Sequence, residues 1–263
     1  MNEELFDYSP GEGPVIVNIP HSGTELPADL AARMSNAAKD LVDTDWHVHR
    51  LVDFASELGA AVLRARFSRY VIDLNRGAED QPLYAGPTTG LVPTEAFDGT
   101  DLYREQHPGS DEIAQRTKDY WQPYHSFIAS ELEKTRSRHG FAILLDAHSI
   151  RSRVPRLFEG QLPDLNLGTF NGKSCSPSLE QGAAALLQGH EGFSHVVNGR
   201  FKGGFITRHY GQPGANVHAL QLEIAQSCYM DENAPERYEE AHALPLKQVL
   251  RDLVEYLMQW RPR

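Results

Sequence analysis

The stretch FAILLDAHS, at residues 141–149, decides the fold of this chain. Five consecutive apolar residues, 141–145, are typical of a strand that is buried on both faces of a parallel sheet. The polar residues Asp146 and His148 follow where this strand ends. Because ligands bind beyond the carboxyl ends of the strands in open α/β sheets, the sequence predicts a site at this edge.

A second stretch, VIVNIPHSG at residues 15–23, repeats this arrangement, with a β-branched strand, a proline and then His21. Strands and helices alternate along the rest of the chain, which predicts an α/β fold with a central, mostly parallel mixed sheet flanked by helices. Residues 1–263 suit a single domain. The other predicted strands cover residues 61–67, 70–74, 165–170, 195–198 and 220–224; the predicted helices cover 38–58, 111–138, 178–188 and 235–260; a long loop covers 77–110.

The overall charge argues against nucleic-acid and membrane partners. The chain has 25 Lys and Arg residues against 36 Asp and Glu residues, a formal net charge of −11, which repels phosphate backbones and anionic lipid surfaces. No stretch approaches the ~20 apolar residues that span a bilayer, and residues 1–13 lack a secretory signal pattern. Cys175 and Cys228 form no CxxC pair. We therefore expect a cytoplasmic protein, while the oligomeric state stays open.

Two histidines follow the two best-defined strands. His21 comes after residues 15–19 and His148 after residues 141–145. Imidazole is a good zinc ligand, and catalytic zinc sites take three protein ligands and leave a fourth position for water. The third ligand should be a carboxylate or another histidine. Spacing alone does not choose among three nearby carboxylates, which are Glu25, Asp43 and Asp45.

Two further carboxylates are candidates for supporting roles. Asp146 lies two residues before His148 and points to the same side of an extended strand, so it either orients the imidazole or caps the next turn. Glu223 lies in the alternating sequence LQLEI at residues 220–224, where apolar neighbours raise a carboxyl pKa toward neutrality. Such a group suits proton transfer at pH 7. The alternative for Glu223 is an exposed strand face.

Several cationic residues are candidates for binding an anionic substrate, which would need local arginines to offset the acidic chain. Arg76, with Asn75 beside it, offers a planar fork that grips a carboxylate with two hydrogen bonds. Arg69, seven residues earlier, is placed to bind substrate or to polarise a carbonyl. Lys202 and Arg208 flank a glycine-rich loop, where they either contact an anionic ligand or form a basic surface patch.

Six short motifs, taken together and in their order along the chain, resemble those of the N-formylglutamate amidohydrolase family. The resemblance covers most of the chain and implies a zinc-exopeptidase-like fold of the phosphorylase/hydrolase type, similar to carboxypeptidases and aspartoacylase. The motifs are NIPHSG at 18–23, DTDWHV at 43–48, RYVIDLNR at 69–76, DAHS at 146–149, KGGFITR at 202–208 and ALQLEI at 219–224.

The resemblance implies a metal centre that binds one divalent ion, zinc in preference to other metals. His21 and His148 would be the first and the last of its ligands along the chain. Those relatives have a ligand carboxylate three residues after the first histidine, where this chain has Thr24. We therefore prefer Asp45 as the third ligand, with Asp43 and Glu25 as the alternatives. Because histidine and carboxylate also suit iron, cobalt and manganese, the metal stays open.

The resemblance also implies roles for the remaining candidates. Asn75 and Arg76 match a pair that binds the substrate carboxylate, Glu223 matches the general base and acid, and Arg69 matches the arginine that polarises the scissile carbonyl. Arg208 or Lys202 would hold a second carboxylate.

The expected reaction is hydrolysis of N-formylglutamate, a small anionic substrate, to formate and glutamate, the last step of a histidine degradation route. The alternatives are a deacylase or carboxypeptidase acting on another N-acyl acidic amino acid or on a peptide, and a non-catalytic binder of acidic metabolites.

Overall fold

The computed structural model describes residues 5–82 and 88–262. Within these ranges one sheet contains seven strands in the order β1-β3-β2-β4-β7-β5-β6. The central pairings β3–β2, β2–β4 and β4–β7 are parallel, as is β5–β6, whereas β1–β3 and β5–β7 are antiparallel. The predicted mixed, mostly parallel sheet is confirmed. The strands are β1 Phe6–Ser9, β2 Val15–Ile19, β3 Ala61–Ala65, β4 Ala142–Ile150, β5 Leu165–Gly168, β6 His195–Val197 and β7 Val217–Ala225.

Helices cover both faces of this sheet. Helices α3, α6 and α8 pack on one face, and α5 and α7 pack on the other. None of the described helices combines the length and the apolar character that a membrane span requires. The helices are α1 Ala28–Arg33, α2 Asn36–Lys39, α3 Val48–Leu51, α4 Ser110–Arg116, α5 Gln122–His139, α6 Pro177–Gly189, α7 Phe205–Tyr210 and α8 Glu240–Gln259, with a π-helical turn at Thr117–Trp121 and 3₁₀ turns at Pro213–Ala215 and Gln226–Cys228.

The alternation of side chains along β4 explains its continuous apolar run. Ile143 and Leu145 pack into the core beneath α3, α6 and α8, whereas Ala142 and Leu144 pack into the core beneath α5 and α7. On the face that packs against α5 and α7, the side chains of β4 then change from apolar to polar, with buried Asp146 and His148. The carboxyl edge of this face is therefore polar and buried, which positions the site.

The predicted strand at residues 70–74 is wrong, because this segment is a buried turn and coil. Several of its backbone carbonyls are bound by side chains instead of a neighbouring strand. Arg116 donates to the Val71 carbonyl at 3.0 Å, and His125 Nε2 lies 2.9 Å from the Leu74 carbonyl. Buried backbone groups need partners, and here two helices supply them.

The predicted helix at residues 38–58 is also wrong as a continuous element. Only α2 and the four-residue α3 are α-helical, and the residues between them form turns. His47 has a φ of 61°, a left-handed conformation that a helix cannot contain. The turn leaves Asp43 and Asp45 on a loop. The predicted loop at 77–110 has no helix or strand in its described part up to Gly109, and residues 83–87 lie outside the described ranges.

Candidate active site

Three strands carry polar side chains to the carboxyl edge of the sheet. His21 follows β2, His148 lies near the end of β4, and Glu223 lies at the corresponding point of β7, where it pairs in register with His148. All three side chains are buried. The parallel arrangement of the central strands therefore brings together residues that are about 75 to 200 positions apart in the chain.

His21, Asp45 and His148 form a buried group whose ligand atoms all lie within 4.8 Å of one another. Asp45 Oδ2 lies 2.9 Å from His148 Nδ1 and 3.9 Å from His21 Nδ1. The loop that carries Asp45 is fixed because the Asp45 N–H donates to the His21 carbonyl at 3.0 Å. Two imidazoles and one carboxylate are a suitable ligand set for a divalent metal, so this group could hold one.

The other two carboxylates considered for this position do not belong to the group. Asp43 Oδ2 accepts a hydrogen bond from the Phe97 N–H at 2.8 Å, and burial raises the Asp43 pKa to about 6. Glu25 is exposed and pairs with Arg66 at 2.7 Å. The geometry therefore brings only Asp45, of these three, together with the histidines.

A carboxylate holds the second nitrogen of each histidine. His21 Nε2 lies 2.7 Å from Asp73 Oδ1, and His148 Nε2 lies 3.0 Å from Asp146 Oδ2. Both Nδ1 atoms are thereby directed toward Asp45. The orienting role considered for Asp146 matches this contact. The sequence alone assigned no role to Asp73. Its position in the motif at 69–76, beside Asn75 and Arg76, could have indicated that it belongs to the site.

The electrostatic environments of the two histidines differ. Burial opposes protonation of His148, but Asp146 and Asp45 outweigh it and hold the His148 pKa well above its usual range. Arg69 donates to Asp45 Oδ1 at 2.9 Å and also contacts His21 Nδ1. A guanidinium thus lies against two of the candidate ligand atoms. Burial and the Arg69 charge together lower the His21 pKa, which favours the neutral imidazole that binds metals.

Asn75 is built into the framework of the site. Its side-chain Nδ2 lies 2.9 Å from His148 Nε2, and its Oδ1 accepts from the Ile206 N–H at 2.8 Å. Gly204 lies directly against this amide, where a Cβ would come within 2.3 Å of Asn75 Nδ2. The glycine therefore permits the loop before α7 to approach Asn75.

Glu223 is buried beside His148 on the neighbouring strand and is held by Gln221, which donates from Nε2 to Glu223 Oε2 at 3.0 Å. Gln221 Oε1 in turn accepts from the Gly204 N–H at 2.7 Å. Burial raises the Glu223 pKa to about 7, and the neighbouring His148 charge opposes this shift. The predicted alternation along residues 220–224 is confirmed, with the apolar residues on the core side. Such a carboxyl group can both accept and donate a proton near pH 7.

His21, Asn75, His148 and Glu223 line one cavity at the carboxyl edge of the sheet. Its wall includes Arg69, Arg76 and Arg200. The Arg76 guanidinium is held by the Thr89 carbonyl at 3.1 Å and by Thr88 Oγ1 at 3.2 Å. The sequence reasoning missed Arg200, although it precedes the glycine-rich motif by two residues.

Lys202 and Arg208 are not among the described residues that line this cavity. Arg208 Nε donates to the Gly203 carbonyl at 2.8 Å, and its guanidinium carbon lies 4.8 Å from the centre of the Phe170 ring. The structure therefore brings Arg69, Asn75 and Arg76 to the site and leaves these two cationic residues outside the cavity wall.

Comparison with known proteins gives consistent matches over nearly the whole chain. The family model for N-formylglutamate amidohydrolase matches residues 13–230. The N-formylglutamate deformylases of Pseudomonas aeruginosa and Pseudomonas putida are 51% and 47% identical, each over 98% of this chain and 97% of that protein. The crystal structure of N-formylglutamate amidohydrolase from Ralstonia eutropha JMP134 matches with a TM-score of 0.83 and 26% identity, over 97% of both chains. The chain belongs to the N-formylglutamate amidohydrolase family.

Proposed function

We propose that this protein hydrolyses N-formyl-L-glutamate to formate and L-glutamate, using one divalent metal ion. The observation that carries this proposal is the buried His21, Asp45 and His148 group, whose ligand atoms lie within 4.8 Å of one another, beside Glu223 in a cavity lined by arginines. Membership of the family supports the substrate. We also propose that the reaction serves histidine degradation in the cytoplasm, as the family resemblance implies.

His21, Asp45 and His148 would hold the metal, and zinc is the first choice because catalytic zinc sites use three such ligands. When bound, the metal lowers the pKa of a coordinated water toward neutrality and polarises the scissile carbonyl. Asp73 and Asp146 keep the two imidazoles oriented for this role through the contacts to their Nε2 atoms.

Glu223 supplies the proton transfers of this reaction. Its carboxylate accepts a proton from the attacking water as the oxygen bonds to the formyl carbon, and a pKa of about 7 suits both directions of transfer. When the C–N bond breaks, Glu223 returns the proton to the leaving nitrogen. Arg69 lines the same cavity and donates hydrogen bonds to the developing oxyanion. The products are formate and glutamate with a free amino group.

Arg76 and Asn75 orient the substrate in this proposal. Arg76 lines the cavity and is held by residues 88 and 89, so its planar fork is fixed before a carboxylate arrives. Asn75 adjoins it and reaches His148. In this proposal the carboxylate-binding group therefore lies next to the reacting centre.

Formate release from N-formylglutamate by the purified protein tests the proposal. The protein is stripped with a chelator, reloaded separately with zinc, cobalt, manganese or iron, and assayed with N-formyl-, N-acetyl- and N-succinylglutamate and with short peptides. We expect activity with the formyl compound that disappears on stripping and returns with metal. Faster release of acetate, succinate or peptide products would assign a different deacylase or carboxypeptidase. Binding without turnover in every metal form would identify a binding protein.

A further inference from the structure

Arg200 lies in the cavity wall but has no part in the reaction described above. It belongs to the segment between β6 and α7 and is half-buried. Its Nε donates to the Leu157 carbonyl at 2.8 Å, and its guanidinium carbon lies 5.4 Å from the centre of the Phe201 ring. These two contacts fix the orientation of the guanidinium at the wall of the cavity that also contains His21 and Glu223.

The cavity differs in charge from the rest of the chain. The whole chain has a net charge of −11, yet the cavity wall contains three arginines, with Asp73 and Glu223 as its carboxylates. Asp73 is bound to His21, and Arg69 is bound to Asp45. Among the described residues of the wall, three guanidinium groups thus outnumber two carboxylates, an excess of positive charge that attracts an anionic ligand.

The surroundings of the two arginines distinguish the carboxylates that they suit. Arg76 adjoins Asn75, which lies 2.9 Å from His148 Nε2, so it suits the α-carboxylate, which one carbon separates from the scissile amide nitrogen. Arg200 lies on a wall that also contains Leu157 and Phe201. Apolar side chains beside a guanidinium match two methylene groups that end in a carboxylate.

We propose that Arg200 binds the side-chain carboxylate of the substrate and thereby makes the enzyme selective for N-acyl acidic amino acids over neutral ones. This inference rests on the proposed function and assigns a residue to a part of the substrate that the sequence reasoning had given to Lys202 or Arg208. A fixed guanidinium forms two parallel hydrogen bonds with a carboxylate, whereas a neutral side-chain amide forms weaker ones.

The test compares two substrates that differ only in the end of the side chain, N-formylglutamate and N-formylglutamine. In Arg200→Met we expect kcat/KM for N-formylglutamate to fall about 100-fold, while kcat/KM for N-formylglutamine changes little. The preference is a ratio measured on one zinc-loaded preparation, so partial unfolding does not alter it. Arg200→Lys keeps the charge without the fork and should show an intermediate preference.

Matched variants separate this role from others. Arg76→Met should lower kcat/KM for both substrates, because both carry an α-carboxylate. Arg153→Met, in a neighbouring exposed loop and outside the cavity wall, should keep the wild-type preference. The inference is overturned if Arg200→Met affects both substrates equally, or if Lys202→Met or Arg208→Met removes the preference instead. Wild-type inactivity toward both substrates would refute the proposed function itself.

Discussion

Gln221 donates a hydrogen bond from its Nε2 to Oε2 of Glu223 at 3.0 Å. The two residues stand on one face of β7, because side chains two positions apart share a face. Gln221 is itself fixed by the Gly204 N–H at 2.7 Å. Burial raises the Glu223 pKa to about 7. A hydrogen bond to a carboxylate stabilises its charged form, so the bond from Gln221 acts against this effect of burial. Gln221 is thus a positioning residue for the proposed general base.

The first prediction concerns Gln221→Leu, which removes this donor and raises the Glu223 pKa further. The base must be deprotonated, so kcat/KM rises with pH through that pKa. A bound metal adds positive charge, which lowers the Glu223 pKa, so the rise of kcat/KM with pH (the acid limb) should have its midpoint at or below pH ~7 in the wild type. We expect the variant limb to move up by about one pH unit in zinc-loaded enzyme assayed from pH 5 to 9. An unmoved limb with a lower plateau would show that Gln221 acts only on packing.

The second prediction separates the proposed general base from the candidate metal ligands. Glu223→Gln removes the proton acceptor but none of the three candidate ligand side chains. It should retain one zinc per chain by elemental analysis and lose roughly 10²- to 10⁴-fold in kcat. His148→Ala should lose both the bound zinc and the activity. Full activity of metal-stripped His148→Ala would exclude the metal mechanism.

The third prediction concerns the carboxylates behind the histidines. Asp73→Asn and Asp146→Asn weaken the orientation of His21 and His148 and should each lower zinc affinity by about 10- to 100-fold, measured by competition with a chelating dye. Asp53→Asn is the matched control, because Asp53 is exposed and pairs with Lys247. Unchanged zinc affinity in both buried variants would mean that these contacts do not support metal binding.

The strands that build the central sheet could be predicted from sequence because they are buried on both faces. Residues 15–17 and 141–145 are continuous apolar runs, and residues 15–17 and 142–145 belong to the central strands β2 and β4. The segment at 70–74 also has four apolar residues in five, but the Val71 and Leu74 carbonyls are bound by Arg116 and His125, on helices far away in the sequence. An apolar sequence indicates that a segment is buried, but it does not indicate which groups form hydrogen bonds with its backbone.

The site was predictable where strand ends and motifs coincide, as at His21, His148 and Glu223. The choice of Asp45 over Asp43 depended on a turn that directs one carboxylate toward the histidines and the other toward the Phe97 N–H, which spacing cannot show. Arg200 could not be separated from Lys202 and Arg208, because the path of the segment from β6 into α7 decides which of these side chains faces the cavity.

The last prediction concerns acid stability and His125. This histidine is buried between Trp121 and Tyr210, with ring centres 3.9 Å and 5.9 Å away, and burial lowers its pKa to about 4. The unfolded chain binds the His125 proton below pH ~6.5, whereas the folded protein does not until about pH 4. Folding is therefore favoured above pH ~6.5, and stability is lost as the pH falls through this window.

The shift corresponds to about 3 kcal/mol of unfolding free energy. Urea unfolding in the presence of chelator, at pH 7.5 and at pH 4.5, measures this loss without a contribution from metal release. His125→Gln is destabilised at both pH values by lost packing, but the difference between the two should shrink by about 3 kcal/mol relative to wild type. Substitution of the exposed His242 by Gln is the control. If His125→Gln keeps the full wild-type difference, His125 is not a source of the acid sensitivity, and the other buried histidines must account for it.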